Sequence, residues 1–370
     1  MSDMFYRTGP NDSLARFPHA GPARHNGVMK TSISVGGYDR GERTELIDFV
    51  QAADRMGVDY AWSAEAWGMD AFTTLAFLAS QTERIKLGTG IAQISARAPA
   101  MTAITALSMH HLSGGRFVLG LGVSGPQVVE GLHGVPYAQP LSRLRETVDI
   151  VRMAFRGEKI SYQGKHHVLP REGGEGKAIR LDFPPAEIPI FLATLAPKSL
   201  EYTGEAANGW LGTCFSPDYP DVLLAPIRRG AEAAGRSLAD IELHASCTLA
   251  IGEDVERMIE AERPSLAFRM GAMGSAKTNF YNDAYCRAGF EEDAKAIQAL
   301  WKQGKRDQAV EHVSDDMILK FGAIGTPDMV RDRFRVYREA GMDGLVLRPQ
   351  AKTPKGQIEL MEQALDLLRA

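Results

Sequence analysis

From Thr31 onward, short apolar runs alternate with longer stretches whose apolar residues fall three and four apart. The runs predict strands covered on both faces, and the stretches predict amphipathic helices. Eight runs qualify: 32–35, 60–63, 86–91, 117–121, 189–193, 209–213, 242–251 and 344–347. Among the helical stretches, 44–56 carries Leu46, Phe49, Val50 and Ala53 on one face. A second opens at Pro140, aligns Leu141, Leu144, Val148, Val151 and Phe155, and stops at Gly157. A third is capped by Thr326, opened by Pro327 and closed by Gly341, with Val330, Phe334 and Tyr337 inward.

The junctions repeat. Gly57-Val58-Asp59-Tyr60 and Gly341-Met342-Asp343-Gly344 both end a helix on glycine and enter a strand through aspartate; Asn208-Gly209-Trp210 is a looser version. Eight strands alternating with helices predict an α/β fold, a (β/α)8 TIM barrel. A doubly wound open sheet competes, but no Gly-x-Gly-x-x-Gly opens a helix after the first strand. The expected organisation is an N-terminal arm over 1–28 and a single barrel domain over 29–370. Insertions are expected at 157–187, hairpin-like around Gly164, and at 253–325, mostly helical. In barrels, segments inserted after strands build the rim of the active site.

Two helical stretches, within 70–82 and 99–113, are apolar or small on nearly every face. An outer helix of a barrel normally shows water one polar face. These two are therefore expected to pack against a second copy of the chain, giving a homodimer; the arm is the alternative cover.

Composition narrows the classes. Of 370 residues, 44% are hydrophobic and 24% charged, as in ordinary globular proteins. The formal net charge of -4, with no basic run, argues against nucleic acid. No apolar run reaches membrane-spanning length, and 1–28 lacks the apolar core of a secretory signal, so a cytoplasmic location is expected. Cys214, Cys247 and Cys286 are too scattered for a disulfide framework or a zinc ribbon. Neither a nucleophile elbow, nor a paired-carboxylate motif, nor a metal signature occurs.

A barrel keeps its chemistry at the carboxyl ends of its strands. Those ends hold Gly36, Gly37 and Tyr38; Glu65, Ala66 and Trp67; Gly90, Ile91 and Gln93; Gly122, Ser124 and Gly125, with Gln127 just beyond; Thr194, Leu195, Ala196 and Lys198; and Arg348. Small residues with an occasional amide or hydroxyl suit a flat aromatic ligand lying on bare main chain. Tight packing at a barrel corner explains the glycines of 120–125 as well. Backbone N–H groups of 194–198 open a helix and can hold phosphate, with Thr194 and Lys198 adding to it; a plain helix cap also explains Thr194. Glu65 reads either as a carboxyl raised by burial that exchanges protons or bonds a cofactor ring, or as half of an ion pair with a rim arginine. His133 is a candidate by position only. His110 and His111 fall at the opposite end of the barrel, and the adjacent rings of His166 and His167 point apart.

Residues 86–98, the element Leu112-Ser113-Gly114-Gly115-Arg116 with its sequel through Gly122, 189–193 and 204–210 resemble the luciferase-like monooxygenase superfamily from Met29 to the C-terminus. Ser124-Gly125-Pro126-Gln127 through Gly131 and Asn279-Phe280-Tyr281-Asn282 look most like the branch that uses coenzyme F-420, a deazaflavin, which includes the methylenetetrahydromethanopterin reductases. The resemblance implies a bacterial-luciferase-like barrel, usually dimeric through helices two and three, with a non-prolyl cis peptide at Gly90–Ile91. It implies ring contacts at Glu65, Gly90, Ile91, Gln93, Gly122, Ser124 and Gly125, and a phosphate side near Thr194, Leu195 and Ala196. Gly37 and Gln127 complete the expected cofactor set. Family members often carry an acidic residue followed by histidine after strand two; here Ala66 follows Glu65, which leaves Glu65, Trp67 and Tyr281 as candidates for proton transfer.

The implied function is a deazaflavin-dependent oxidoreductase that moves a hydride to or from a small organic substrate. An FMN-dependent monooxygenase and a barrel that binds a flavin-like ligand without turnover are the alternatives. The two insertions are expected to select the substrate, with Lys277, Tyr281 and Arg348 as anion or carbonyl contacts.

Overall fold

The computed structural model describes residues 29–35, 43–273 and 279–369. The expected arm over 1–28, and with it Gly36, Gly37, Tyr38 and Lys277, lies outside the described residues. Twelve strands follow in chain order: β1 Lys30–Ser34, β2 Tyr60–Ser63, β3 Lys86–Thr89, β4 Ala92–Gln93, β5 Phe117–Gly122, β6 Tyr162–Gln163, β7 Val168–Leu169, β8 Ile190–Leu192, β9 Gly209–Gly212, β10 Glu242–Ile251, β11 Gly322–Gly325 and β12 Gly344–Pro349. Eight of them, β1-β2-β3-β5-β8-β9-β10-β12, pair in parallel, and β12 returns to β1 to close a ring. The expected (β/α)8 barrel is the fold, with strands and helices where the apolar periods put them.

One strand escaped the sequence reading. β11 lies inside the insertion expected to be helical, and pairs with Thr248–Ile251 of β10 outside the ring. β10 has ten residues and runs well past the end of β9, so its last four need another partner on that edge. Gly-Ala-Ile-Gly is too short and too poor in side chains to announce a strand. The other insertion forms the expected hairpin, β6 against β7. Glu146 clamps it by accepting from the backbone N–H groups of Lys165, His166 and His167 at 2.8, 2.9 and 2.9 Å.

The repeated junctions have a shared physical cause. The acidic or amide residue before each strand accepts the first free N–H of a neighbouring strand. Asp59 takes Thr31 N at 2.8 Å, Asp343 takes Leu243 N at 2.8 Å and Asn208 takes Ile190 N at 3.0 Å. Arg116 does the same work for a helix end. Its guanidinium donates to Ser113 O, Ala79 O, Thr82 O, Thr82 Oγ1 and Ile85 O, all at the amino-terminal end of the barrel. The Leu-Ser-Gly-Gly-Arg element is thus a structural device, remote from the strand carboxyl ends.

The barrel interior is plugged from below. Tyr60 and Trp62 of β2 stack with centroids 5.2 Å apart, and both meet Phe191 and the fully buried His244. Glu242 accepts from Tyr60 Oη, His244 Nε2 and Lys30 Nζ, each at 2.7 Å. Burial alone would raise that carboxyl, but the His244 hydrogen bond and the charges of His244 and Lys30 hold it far below the usual carboxylate range. Among the described residues the bottom of the barrel is therefore closed and charge-paired, which leaves its carboxyl mouth for a ligand.

Candidate active site

The glycines of the expected shelf divide into two kinds. A Cβ at Gly88 would stand 2.2 Å from the Trp62 ring, and one at Gly90 2.9 Å from Trp62 Cβ. A Cβ at Gly120 would stand 1.9 Å from the carbonyl oxygen of Thr89, and one at Gly122 2.9 Å from Ile91. The first three are required by the protein's own packing, the reading left open alongside the ligand, and at Gly122 the tip of Ile91 would have to shift. Gly125 differs: among the described residues a Cβ there meets only Gln127 Oε1, at an ordinary 3.5 Å. The open part of the shelf therefore starts after β5, at 123–125. Ser124 holds a left-handed φ of 60°, a conformation uncommon for a residue with a side chain and concentrated at functional loops. Gln127 is exposed on the short helix Pro126–Val129 that follows.

β3 ends at a cis peptide between Gly90 and Ile91, after which β4 resumes pairing with β5. Glu65, leaving β2, ties this bend down. Its Oε1 accepts from Gln93 N at 2.8 Å and from Arg97 Nη1 at 2.6 Å, and its Oε2 from Ala71 N at 3.2 Å. Of the two readings of Glu65, the geometry is that of the ion pair. Both oxygens are committed to donors. Trp67, two residues on, is 68% exposed.

Gln93 extends the same network. Its side-chain nitrogen donates to Glu65 O at 2.8 Å and to Ala66 O at 3.3 Å. Its oxygen must then be the acceptor for His133 Nε2, 3.1 Å away, so the imidazole carries its proton on that nitrogen. His133, a candidate by position alone, is thereby linked through Gln93 to the carbonyl of Ala66.

On the phosphate side the structure alters one expectation. The Thr194 hydroxyl faces inward and bonds Thr203 Oγ1 at 2.7 Å, while its carbonyl accepts from Trp210 Nε1 at 3.1 Å. Its side chain is 6% exposed at residue level and is not free for an anion, because the helix Pro197–Ala206 packs back onto β8 through it. Leu195 and Ala196 stay at the rim, Ala196 as the helix N-cap with Lys198 exposed in the first turn. Arg287 donates to Leu195 O at 2.8 Å and adds a cation that the sequence did not announce.

Across the mouth, Tyr281, Tyr285, Cys214, Arg269 and Arg348 lie close enough to influence one another's ionisation. Burial, with Cys214 beside it, pushes the Tyr281 phenol up to about 12. Tyr137 is likewise pushed up to about 12 by burial, with contributions from Glu130 and Tyr281. Its hydroxyl donates to Ser124 O over a long 3.4 Å. The tyrosines thus bridge the open loop to the arginine side. Among the described residues no cluster of histidine, cysteine or carboxylate has the make-up of a metal site, and no helix is long and apolar enough to cross a membrane.

The family model described as luciferase-like monooxygenase matches residues 24–344. The chain belongs to that family. This luciferase-like chain is 37% identical over 328 residues to a Mycobacterium tuberculosis protein named as a coenzyme F-420-dependent oxidoreductase, covering 86% of this chain and 94% of that one. It is 30% identical over 324 residues to the 5,10-methylenetetrahydromethanopterin reductase of Archaeoglobus fulgidus, covering 86% and 93%. The solved structure of coenzyme F-420-dependent tetrahydromethanopterin reductase from Methanopyrus kandleri superposes with a TM-score of 0.76 at 25% identity, over 91% of this chain and 98% of that one.

Proposed function

We propose that this luciferase-like barrel is a coenzyme F-420-dependent oxidoreductase, moving a hydride between the deazaflavin and a small organic substrate. The 37% identity to a relative of that name, across 86% of the chain, carries the reading. The residues present fit such a group. The main chain around Gly125 is open on the side away from Gln127, the flanking positions carry little charge, and Ala196, Lys198 and Arg287 gather donors at a helix start. In this reading Gly90, Ile91, Gln93, Gly122, Ser124 and Gly125 border the ring, and Leu195 and Ala196 offer main chain to the phosphate. The deazaflavin, when bound, supplies the two-electron chemistry.

What the chain contributes is positioning and protons. Glu65 acts through others, fixing Gln93 and the start of the next helix with its two oxygens. Tyr281, held at about 12, keeps its proton at neutral pH and serves as a donor rather than a base. His133 is oriented by the hydrogen bond that its Nε2 donates to Gln93 Oε1. The deciding experiment is a fluorescence titration of the purified chain with F-420 and with FMN. Saturable deazaflavin binding, about tenfold or more tighter than FMN, is expected. Tight FMN binding with none for the deazaflavin overturns the assignment.

The active form is read as a cytoplasmic homodimer built on the helices Ala71–Ala79 and Pro99–Leu112. The outward stripe of the second helix runs Met101, Thr105, Ser108 and Leu112, without a charge, and Met101 and Leu112 are 50% and 67% exposed. A contiguous uncharged face of that kind suits a second copy of itself. Light scattering should give the mass of two chains for the wild type and of one for a Met101→Glu/Leu112→Glu variant. A single-chain mass for the wild type refutes the dimer.

A further inference from the structure

Two guanidiniums stand across the barrel mouth from the open loop. Around the closed ring the order is β1, β2, β3, β5, β8, β9, β10, β12, so β10 lies opposite β3 and β12 opposite β5. Arg348 belongs to the carboxyl end of β12, and Arg269 comes from the helix Val255–Gly271 beside β10. Arg348 Nη2 donates to Thr248 Oγ1 at 3.0 Å, Thr248 Oγ1 donates to Glu262 Oε1 at 3.1 Å, and Glu262 Oε1 also accepts from Arg269 Nη2. The chain of contacts holds two positive charges and one negative.

Among the described residues its unpaired charge resides on Arg348. Arg269 has Glu262 as its ion-pair partner, whereas Arg348 makes no ion pair among the described residues, and its Nε is buried without a hydrogen-bond partner. Burial, and then the neighbouring Arg269, push the Arg348 guanidinium down from its ordinary value, which is the mark of a cation short of an acceptor. Tyr285 Oη, beside both arginines, is buried with the Cys214 thiol as its side-chain neighbour. A small cavity borders Thr248, Glu262 and Arg269, one residue removed from Arg348, which does not line it. Donors left unmatched in a buried setting are costly, so the arrangement is complete only when an acceptor arrives.

We propose that Arg348, steadied by Thr248 and the Arg269–Glu262 pair, holds a carboxylate of the organic substrate. The inference rests on the functional reading above for the word substrate, and adds the class. One net positive charge matches a monovalent carboxylate; a phosphate dianion would leave a surplus of negative charge beside Glu262. The position suits it as well. A ligand anchored on β12 is directed toward the loop after β5, where the ring would lie.

The test uses benzoate and benzamide, alike in size and different in charge, titrated calorimetrically into the full chain loaded with oxidised F-420. Benzoate should bind about tenfold tighter. Arg348→Gln should bring the two level while leaving deazaflavin affinity within about twofold of wild type. Equal binding of the pair to the wild type overturns the inference, as does an undiminished preference in the variant. Loss of deazaflavin affinity in Arg348→Gln would hand the guanidinium to the cofactor's own acidic tail, and tighter binding of inorganic phosphate than of benzoate would refute the carboxylate. Should the chain not bind deazaflavin at all, the functional reading fails on its own, and the benzoate preference of the unloaded chain still decides this one. If Arg348→Gln does not fold, Arg348→Lys keeps the charge and loses the fork. Benzoate affinity about threefold lower with benzamide unchanged then supports the inference, and unchanged benzoate affinity overturns it.

Discussion

Replacing Gly120 with alanine is expected to cost about 3 kcal/mol or more of stability, a severe effect for one added methyl group. The new Cβ would lie 1.9 Å from the carbonyl oxygen of Thr89, and a backbone atom cannot swing aside as a side-chain tip can. The same two residues are also locked by a pair of hydrogen bonds. Thr89 Oγ1 donates to Gly120 O at 2.7 Å and accepts from Gly120 N at 2.8 Å. Pushing β3 and β5 apart to admit the methyl breaks both, in the interior, where unmatched partners are most costly. Thermal unfolding should show the apparent midpoint falling by an amount on the order of 10 °C. A variant that melts with the wild type would mean that β3 and β5 do not approach this closely. Gly120 would then rejoin the ligand reading.

That residue also marks the limit of what was legible. Gly120, Gly122 and Gly125 look alike in a sequence, as small residues after an apolar run. What separates them is contact with Thr89, at the end of β3, and Ile91, at the bend just after it, and no local pattern encodes that contact. Local patterns were reliable where a period sufficed. β2 and β10 begin and end where the apolar runs do, and the helix Pro140–Phe155 opens on its proline and stops before Gly157. The aspartates before β2 and β12 were visible as a repeat, but their role needed the neighbouring strand. β11 failed because its partner, the overhanging end of β10, is visible only once the ring has closed.

The site was legible in the same uneven way. Residues leaving strands could be named in advance because a barrel sends them to one mouth. Those arriving from helices and long loops were harder to name: Arg269, Arg287 and Tyr137 reach the mouth through segments of no fixed register. Thr194 shows the converse. Its place at a helix start fitted an anion site, yet Thr203, two turns into that helix, takes its hydroxyl inward. A polar residue at a strand end can serve the packing behind it or the space before it, and only the partner tells which.

Gly125→Phe should lower deazaflavin affinity by about a hundredfold, equivalent to about 2.7 kcal/mol, while leaving the melting midpoint unchanged. The backbone there is extended, with φ -99° and ψ 164°, which any residue adopts, so the substitution carries no conformational penalty. Its Cβ has ordinary clearance from Gln127 Oε1, so the barrel need not shift. A benzyl group at that point occupies the space in front of Ser124, whose left-handed turn and Tyr137 contact fix the direction of the loop. Gly125→Ala is the graded control: a methyl projecting into the same space should weaken binding only a few-fold. The pairing with Gly120→Ala is what makes the result informative. Two glycines five residues apart would part company, one giving up stability and the other giving up ligand, as their contacts require. Deazaflavin affinity unchanged in Gly125→Phe, measured by the same fluorescence titration, would remove the loop from the site and leave the cofactor without a bare main-chain surface to lie on.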